Sequence, residues 1–182
     1  MDISEPFSIT ICGLEELPGH CKIGVSHVLS ILDPQWPVPE AFGAFGEHAK
    51  LELRFHDVID EHGGETIAPQ PEHVSELLAF GRPLQTGEHL LVHCHAGVSR
   101  STAAMALILA QACPGATGAA IFAKVLQLRP RAWPNLRIIE FGDALLGRWY
   151  PYRRCRGGVQ QATRRPPLRG GGDARWRARS RS

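Results

Sequence analysis

Nine consecutive residues, His93 to Ser101 (HCHAGVSRS), fix more of the architecture than any other stretch. They follow an apolar, strand-like run, Leu90-Leu91-Val92, and precede a helix-like run from Thr102 to Ala112. The pattern reads strand, tight loop, helix. Such a loop turns successive backbone N–H groups inward, and the first turn of the helix adds the positive end of its dipole. The result is a cradle for a tetrahedral dianion. Arg100 can complete it with a planar two-pronged donor, and Cys94 at its floor would feel the same positive field and ionise readily. A sulfur anion beneath a bound phosphate points to nucleophilic phosphoryl transfer.

Within the loop, His95, Ala96, Gly97, Val98 and Ser99 are expected to supply amide donors to phosphate, with Arg100 gripping two oxygens. Gly97 permits backbone geometry that a side chain would hinder. Cysteines are commonly buried for packing alone. That reading is kept for Cys12, Cys21 and Cys113, and Cys155 is assigned to the C-terminal tail. The triplet His93-Cys94-His95 invites a metal reading. Cys94 and its neighbours, however, point to opposite sides of an extended chain, and no second ligand cluster has zinc-like spacing, so no metal and no other cofactor is expected.

The cysteine, five residues, arginine and serine resemble the signature of the cysteine-dependent protein tyrosine phosphatases. The AGVSRS wording is most similar to the dual-specificity and small bacterial tyrosine phosphatases. The resemblance is strongest from about Lys50 to Trp149, with a vaguer match back to Phe7. It implies a metal-free hydrolase working through a cysteinyl-phosphate. It also implies roles for three further residues. Ser101 would stabilise Cys94 as a leaving group, His93 would hydrogen-bond the loop and tune the thiol, and Asn135, in the run RPRAWPN, would support the loop. Ser101 and Asn135 are equally readable as helix caps.

Phe7–Cys12 and Lys50–Phe55 alternate as strands, His27–Leu32 reads as another ended by Asp33-Pro34, and His89–His93 feeds the loop. Pro71–Arg82 places Val74, Leu77, Leu78 and Gly81 on one face of a helix with proline in its first turn. Ser101–Ala112 is small or apolar almost throughout, as in a helix buried on most sides. Thr117 can cap a helix ending near Leu128, and Asn135 one running to about Trp149. This alternation predicts an α/β three-layer sandwich around a mostly parallel sheet. The resemblance implies four or five strands flanked by helices, with the loop at one strand's C-terminal end.

A strand's C-terminal end also supplies the candidate for the proton that the leaving oxygen needs. Asp57 follows Lys50–Phe55, and emerges beside the cysteine if that strand runs parallel to His89–His93. Asp60 lies closer in sequence to Cys94 and stays an alternative; the FHD context favours Asp57. Either is also readable as a loop cap.

Charge is split along the chain. Met1 to Tyr152 carries 10 Lys+Arg against 17 Asp+Glu, a net −7, whereas Arg153 to Ser182 carries 10 Arg against Asp173 alone, a net +9. Residues 153–182 have little to bury and are expected to be a disordered Arg-rich tail, leaving 1–152 as the catalytic domain. Such a tail could contact nucleic acid, although charge runs are usually just solvated. No apolar run reaches membrane-spanning length, the acidic N-terminus has no secretory pattern, and five cysteines without a C-x-x-C pair suit a reducing compartment. The expected setting is a cytoplasmic monomer acting on a phosphoprotein, phosphotyrosine first. Two rivals remain open: a rhodanese-like sulfurtransferase, and a phosphatase for a non-protein phosphate.

Overall fold

The computed structural model describes residues 5–60 and 63–147. Four parallel strands form the sheet: β1 (Ser8–Gly13), β2 (His27–Leu32), β3 (Ala49–Arg54) and β4 (His89–Cys94), in the order β1-β4-β2-β3. Among the described residues four α-helices accompany them: α1 (Pro71–Gly81), α2 (Arg100–Ala112), α3 (Gly118–Leu128) and α4 (Leu136–Leu145). The α/β sandwich is therefore present, with four strands and a wholly parallel sheet.

The strand order dictates which face each connection covers. From β1 to β2 to β3 the chain moves one way across the sheet, and from β3 to β4 it moves back. Right-handed crossovers put connections of opposite direction on opposite faces. The β3–β4 connection carries α1, which joins α2, α3 and α4 on one side. The other side is covered by two 3-10 segments, Leu14–His20 and Glu40–Ala44, which no periodicity had announced. There Cys12, Leu17, Val25, Val28 and Leu91 form a buried cluster, with Leu14, Phe42 and Phe45 against it. Alternation along β4 sends Leu91 and His93 to this side and Leu90, Val92 and Cys94 to the helices.

Helix α2 is the central element of the helical layer, buried from Arg100 to Ala110. It packs on β4 and β1 and touches α1, α3 and α4, which explains its lack of a polar face. Val74, Leu77, Leu78 and Gly81 are the buried residues of α1, the face that the spacing predicts. Thr117 caps α3 by accepting from the Ala120 N–H, and Asn135 caps α4 by accepting from the Ile138 N–H. The last helix ends at Leu145; Trp149, to which the sequence extended it, lies outside the described residues, as do Cys155 and the Arg-rich segment 153–182. No helix among the described residues is long and apolar enough to cross a membrane.

Candidate active site

Parallel strands all end on one edge, so the residues following β1, β2, β3 and β4 gather around the loop His95–Ser99. That loop is held by its carbonyl oxygens. The His95 oxygen accepts from the Leu14 N–H at 2.8 Å, and the Val98 oxygen from the Trp133 N–H at 2.8 Å. Arg129 donates from Nη2 to the Ala96 oxygen at 3.1 Å and from Nε to the Gly97 oxygen at 2.9 Å. The Ser99 oxygen takes the Ala103 and Asn135 N–H groups, and Thr102 Oγ1 donates to the carbonyls of Val98 and Ser99. Every carbonyl from 95 to 99 is thereby committed to surrounding structure. Among the described residues none of the N–H groups from His95 to Ser99 has a protein acceptor. Backbone polar groups away from water need partners, so a row of spent carbonyls with unspent amides is a site built for an anion.

Gly97 makes this shape possible. Its φ is +67°, and a Cβ there would lie 2.4 Å from the Cys12 carbonyl carbon and 2.6 Å from the Gly13 nitrogen. No side chain fits between the loop and the end of β1.

Cys94 is the last residue of β4 and is 2% exposed; its Sγ lies 3.2 Å from Ser101 Oγ in the first turn of α2. Arg100 is 3% exposed. Its Nη1 is fully used, donating to Asp33 Oδ1 at 2.7 Å and to the Phe55 carbonyl at 2.6 Å. Its Nε is buried and has no hydrogen-bond partner among the described residues. The guanidinium is thus fixed by one corner, while the opposite Nε/Nη2 edge, the pair that can grip two oxygens of one anion, stays available.

Asp57 Oδ1 accepts from Ser99 Oγ at 2.7 Å and from Asn135 Nδ2 at 2.8 Å, so this carboxyl sits at the rim of the loop, with Oδ2 unengaged among the described residues. Asp60 is exposed and makes no hydrogen bond or ion pair among the described residues. Asn135 therefore meets both the loop, through its backbone, and the acid candidate, through its side chain.

His93 is the departure. It is fully buried on the Phe42 side of β4, its ring 5.5 Å from the Phe42 ring, and among the described residues neither nitrogen completes a well-formed hydrogen bond. Among the described residues no hydrogen bond joins its ring to the loop His95–Ser99. Burial pushes its pKa down to about 4, the nearby Cys94 backbone opposing this only in part.

Three residues around the loop had no role assigned from the sequence. Asp33, the first residue after β2, pairs with Arg100 and lies 3.6 Å from His95 Nε2. Arg129 braces two loop carbonyls, and Glu16 grips Arg129 at 2.9 and 2.7 Å while accepting the Gly13 N–H. An acid placed directly after a strand, as in HVLSILD, was the signal available for Asp33, because strand ends on one edge converge. Trp36 extends the rim, packing edge-on against the His95 ring at 4.5 Å, and both Trp36 and Trp133 are exposed. Among the described residues no group of three or more His, Cys, Asp or Glu is placed to hold a metal ion.

A scan against protein-family models finds no match, and neither does a search of curated proteins. Solved structures do match. Human DUSP28 superposes with a TM-score of 0.55 at 21% identity, over 79% of this chain and 96% of that one. DUSP15 gives 0.56 at 19% identity, over 88% and 95%. A human tyrosine phosphatase-like serine/threonine/tyrosine-interacting protein gives 0.54 at 21%, over 75% and 85%. The chain has the α/β fold of the dual-specificity phosphatases.

Proposed function

We propose that the chain is a cysteine-dependent phosphatase of the tyrosine and dual-specificity group, hydrolysing phosphomonoesters through a cysteinyl-phosphate. The observation that carries this reading is the pairing of spent carbonyls and open amides from His95 to Ser99 with the unpartnered Nε edge of Arg100, around the sulfur of Cys94. Those donors hold the three equatorial oxygens of the transferring group as its charge redistributes. Cys94 Sγ attacks phosphorus in line, the S–P bond forms and the bond to the leaving oxygen breaks.

Asp57 supplies the proton. With Oδ1 accepting from Ser99 and Asn135, the proton resides on Oδ2 and passes from there to the leaving oxygen. In the second step the same carboxylate takes a proton from water as it attacks phosphorus. The S–P bond then breaks, and Ser101 Oγ, 3.2 Å from the sulfur, donates a hydrogen bond to the departing thiolate. The preferred substrate is a phosphoprotein, phosphotyrosine first.

The test is Cys94→Ser in the full chain, assayed on p-nitrophenyl phosphate and phosphotyrosine peptides. Turnover disappears while vanadate or tungstate binding persists. Continued turnover by this variant refutes the mechanism. Thiosulfate:cyanide sulfur transfer by the wild-type chain, without phosphatase activity, would replace it with the rhodanese-like alternative.

A further inference from the structure

Resting on that reading, we propose that Asp33 is a positioning residue for phosphoryl transfer. Its carboxylate, together with the Phe55 carbonyl, holds Nη1 of Arg100 so that the Nε/Nη2 edge faces the phosphate. Its charge also limits how tightly the cradle retains the phosphate it has released.

The geometry behind the first half is direct. A guanidinium offers five N–H groups, and only its edges can grip an anion with two parallel bonds. Nη1 has two hydrogens, and both have acceptors within 2.7 Å, one at the end of β2 and one at the end of β3. Neither of those strand ends lies on the element that carries Arg100. The side chain is therefore clamped from the sheet edge while its backbone belongs to α2. Without Asp33 the guanidinium keeps only the Phe55 carbonyl, and rotation about its terminal bonds becomes free enough to spread it over poses that present one N–H rather than two.

The second half follows from charge. Asp33 is a half-buried anion on the far edge of the cation that binds the substrate's dianion. It neutralises part of the field that the cradle would otherwise present. Product phosphate feels that field as much as substrate does, so a fully uncompensated Arg100 would hold product longer. His95 is a second partner of the same oxygen. Its Nε2 can accept the Asp33 N–H at 3.4 Å when neutral, or donate toward Asp33 Oδ1 at 3.6 Å when protonated. The charged groups facing His95 are Asp33, Arg100 and Asp57. Burial lowers its pKa, Asp33 and Asp57 opposing and Arg100 reinforcing that shift. Asp33 thus serves as a counter-ion shared between two loop residues.

The experiment uses the full-length chain with Asp33→Ala and Asp33→Asn, reading kcat and KM on p-nitrophenyl phosphate, inhibition by inorganic phosphate, and phosphate binding by calorimetry. Asparagine keeps an oxygen for Nη1 and removes the charge; alanine removes both. For Asp33→Ala the expected result is a kcat about tenfold or more below wild type, the cost of losing one orienting contact to the transition-state cation. Asparagine should restore most of that loss while phosphate inhibition tightens by about three- to tenfold. The His95 ring, followed by NMR, should titrate at lower pH in both variants, since each removes the charge beside it; recovery of kcat by asparagine together with tighter phosphate inhibition is the pattern a purely structural Asp33 would not produce.

Alanine and asparagine variants alike in kcat, phosphate affinity and His95 titration to the wild type overturn the proposal. So does an alanine variant whose loss asparagine fails to restore although both fold. A wild-type chain that binds phosphate but does not turn over ends the phosphatase reading alone, and Asp33 is then decided by the binding comparison. A wild-type chain that binds no phosphate ends both.

Discussion

Replacing Arg129 with Met keeps most of the aliphatic stem and removes only the guanidinium, which isolates the outer brace of the loop. The wild-type group makes two charge-assisted bonds to loop carbonyls, Gly97 at 2.9 Å and Ala96 at 3.1 Å, and a two-pronged contact to Glu16. Bonds from charged donors are worth about 1.5–3 kcal/mol each, and the lower figure suits a bond as long as 3.1 Å. The Glu16 pair is half exposed and contributes about 0.5 kcal/mol at most. Losing all of these costs about 3–5 kcal/mol, or roughly 6–20 °C in melting temperature for a domain of this size. The functional consequence is larger than the loss of rigidity suggests. Once the Ala96 and Gly97 carbonyls lose their external donor, either peptide can turn its oxygen inward, replacing an attractive amide with a repulsive carbonyl. Phosphate affinity should fall by about tenfold, equivalent to about 1.4 kcal/mol. The Arg129 hydrogen bond, with the Gly13 amide assisting, holds the Glu16 carboxyl below its ordinary pKa. A depressed acid stabilises the fold above its unfolded value and loses that contribution as pH falls through the folded one, so the wild-type brace weakens below about pH 4. Thermal melts and phosphate calorimetry on both proteins decide the matter. An Arg129→Met protein that melts within about 1 °C of wild type and binds phosphate equally well refutes the claim that outward carbonyls depend on this brace.

Two further outcomes follow from the same geometry. His93 is fully buried, unpartnered, and held neutral by a pKa of about 4, so the folded state resists protonation that the unfolded chain accepts near pH 6.5. Stability should therefore decline by about 2 kcal/mol between pH 7.5 and pH 5, and His93→Leu should flatten that decline in denaturant titrations; an equally steep slope in the leucine variant assigns it elsewhere. Asp57→Asn preserves an oxygen for Ser99 and Asn135 but no proton, and should lower kcat by about 10²-fold or more on phosphotyrosine, less where the leaving group needs no protonation. Asp60→Asn should stay within about twofold of wild type, and the reverse ranking would move the acid to Asp60.

Local pattern carried the strands, the helices and the loop, because each of those signals lies within a dozen residues. HVLSIL and KLELRF became strands to within a residue, and Val74, Leu77, Leu78 and Gly81 became the buried face of α1 that their spacing predicts. The placing of Cys94, Ser101 and Arg100 follows from one strand–loop–helix unit. The remaining contacts join Asp33 to Arg100 across 67 residues and Glu16 to Arg129 across 113, and such pairs leave no periodic trace. Arg129 was in plain view in the RPRAWPN run, yet nothing local distinguishes a loop brace from a solvated arginine. The missing bond at His93 has another cause. Strand alternation turns its ring to the face opposite Cys94, against Phe42 and beside Ser30 of the neighbouring strand, where no group among the described residues completes a hydrogen bond with it.

What converts these scattered residues into one site is the direction of the strands. Gly13 is in register with Cys94, Ser30 with His93, and Leu32 with Arg54, so the residues following four strands emerge side by side. Glu16 and Leu14 arrive from β1, Asp33 from β2, the Phe55 carbonyl and Asp57 from β3, and the sulfur from β4. Reversing β3 alone would carry Asp57 and the Phe55 carbonyl to the opposite edge, about 20 Å away for six residues at strand rise. Arg100 would then lose one of its two fixed acceptors, and the proposed proton donor would leave the loop's edge, with no residue of the loop itself altered. The nine-residue motif supplies the open amides and the sulfur, and residues from outside it hold the loop in shape. The order and parallel sense of the sheet supply the acid and aim the guanidinium, and a substitution at Asp33 or Asp57 therefore tests the sheet as much as the loop.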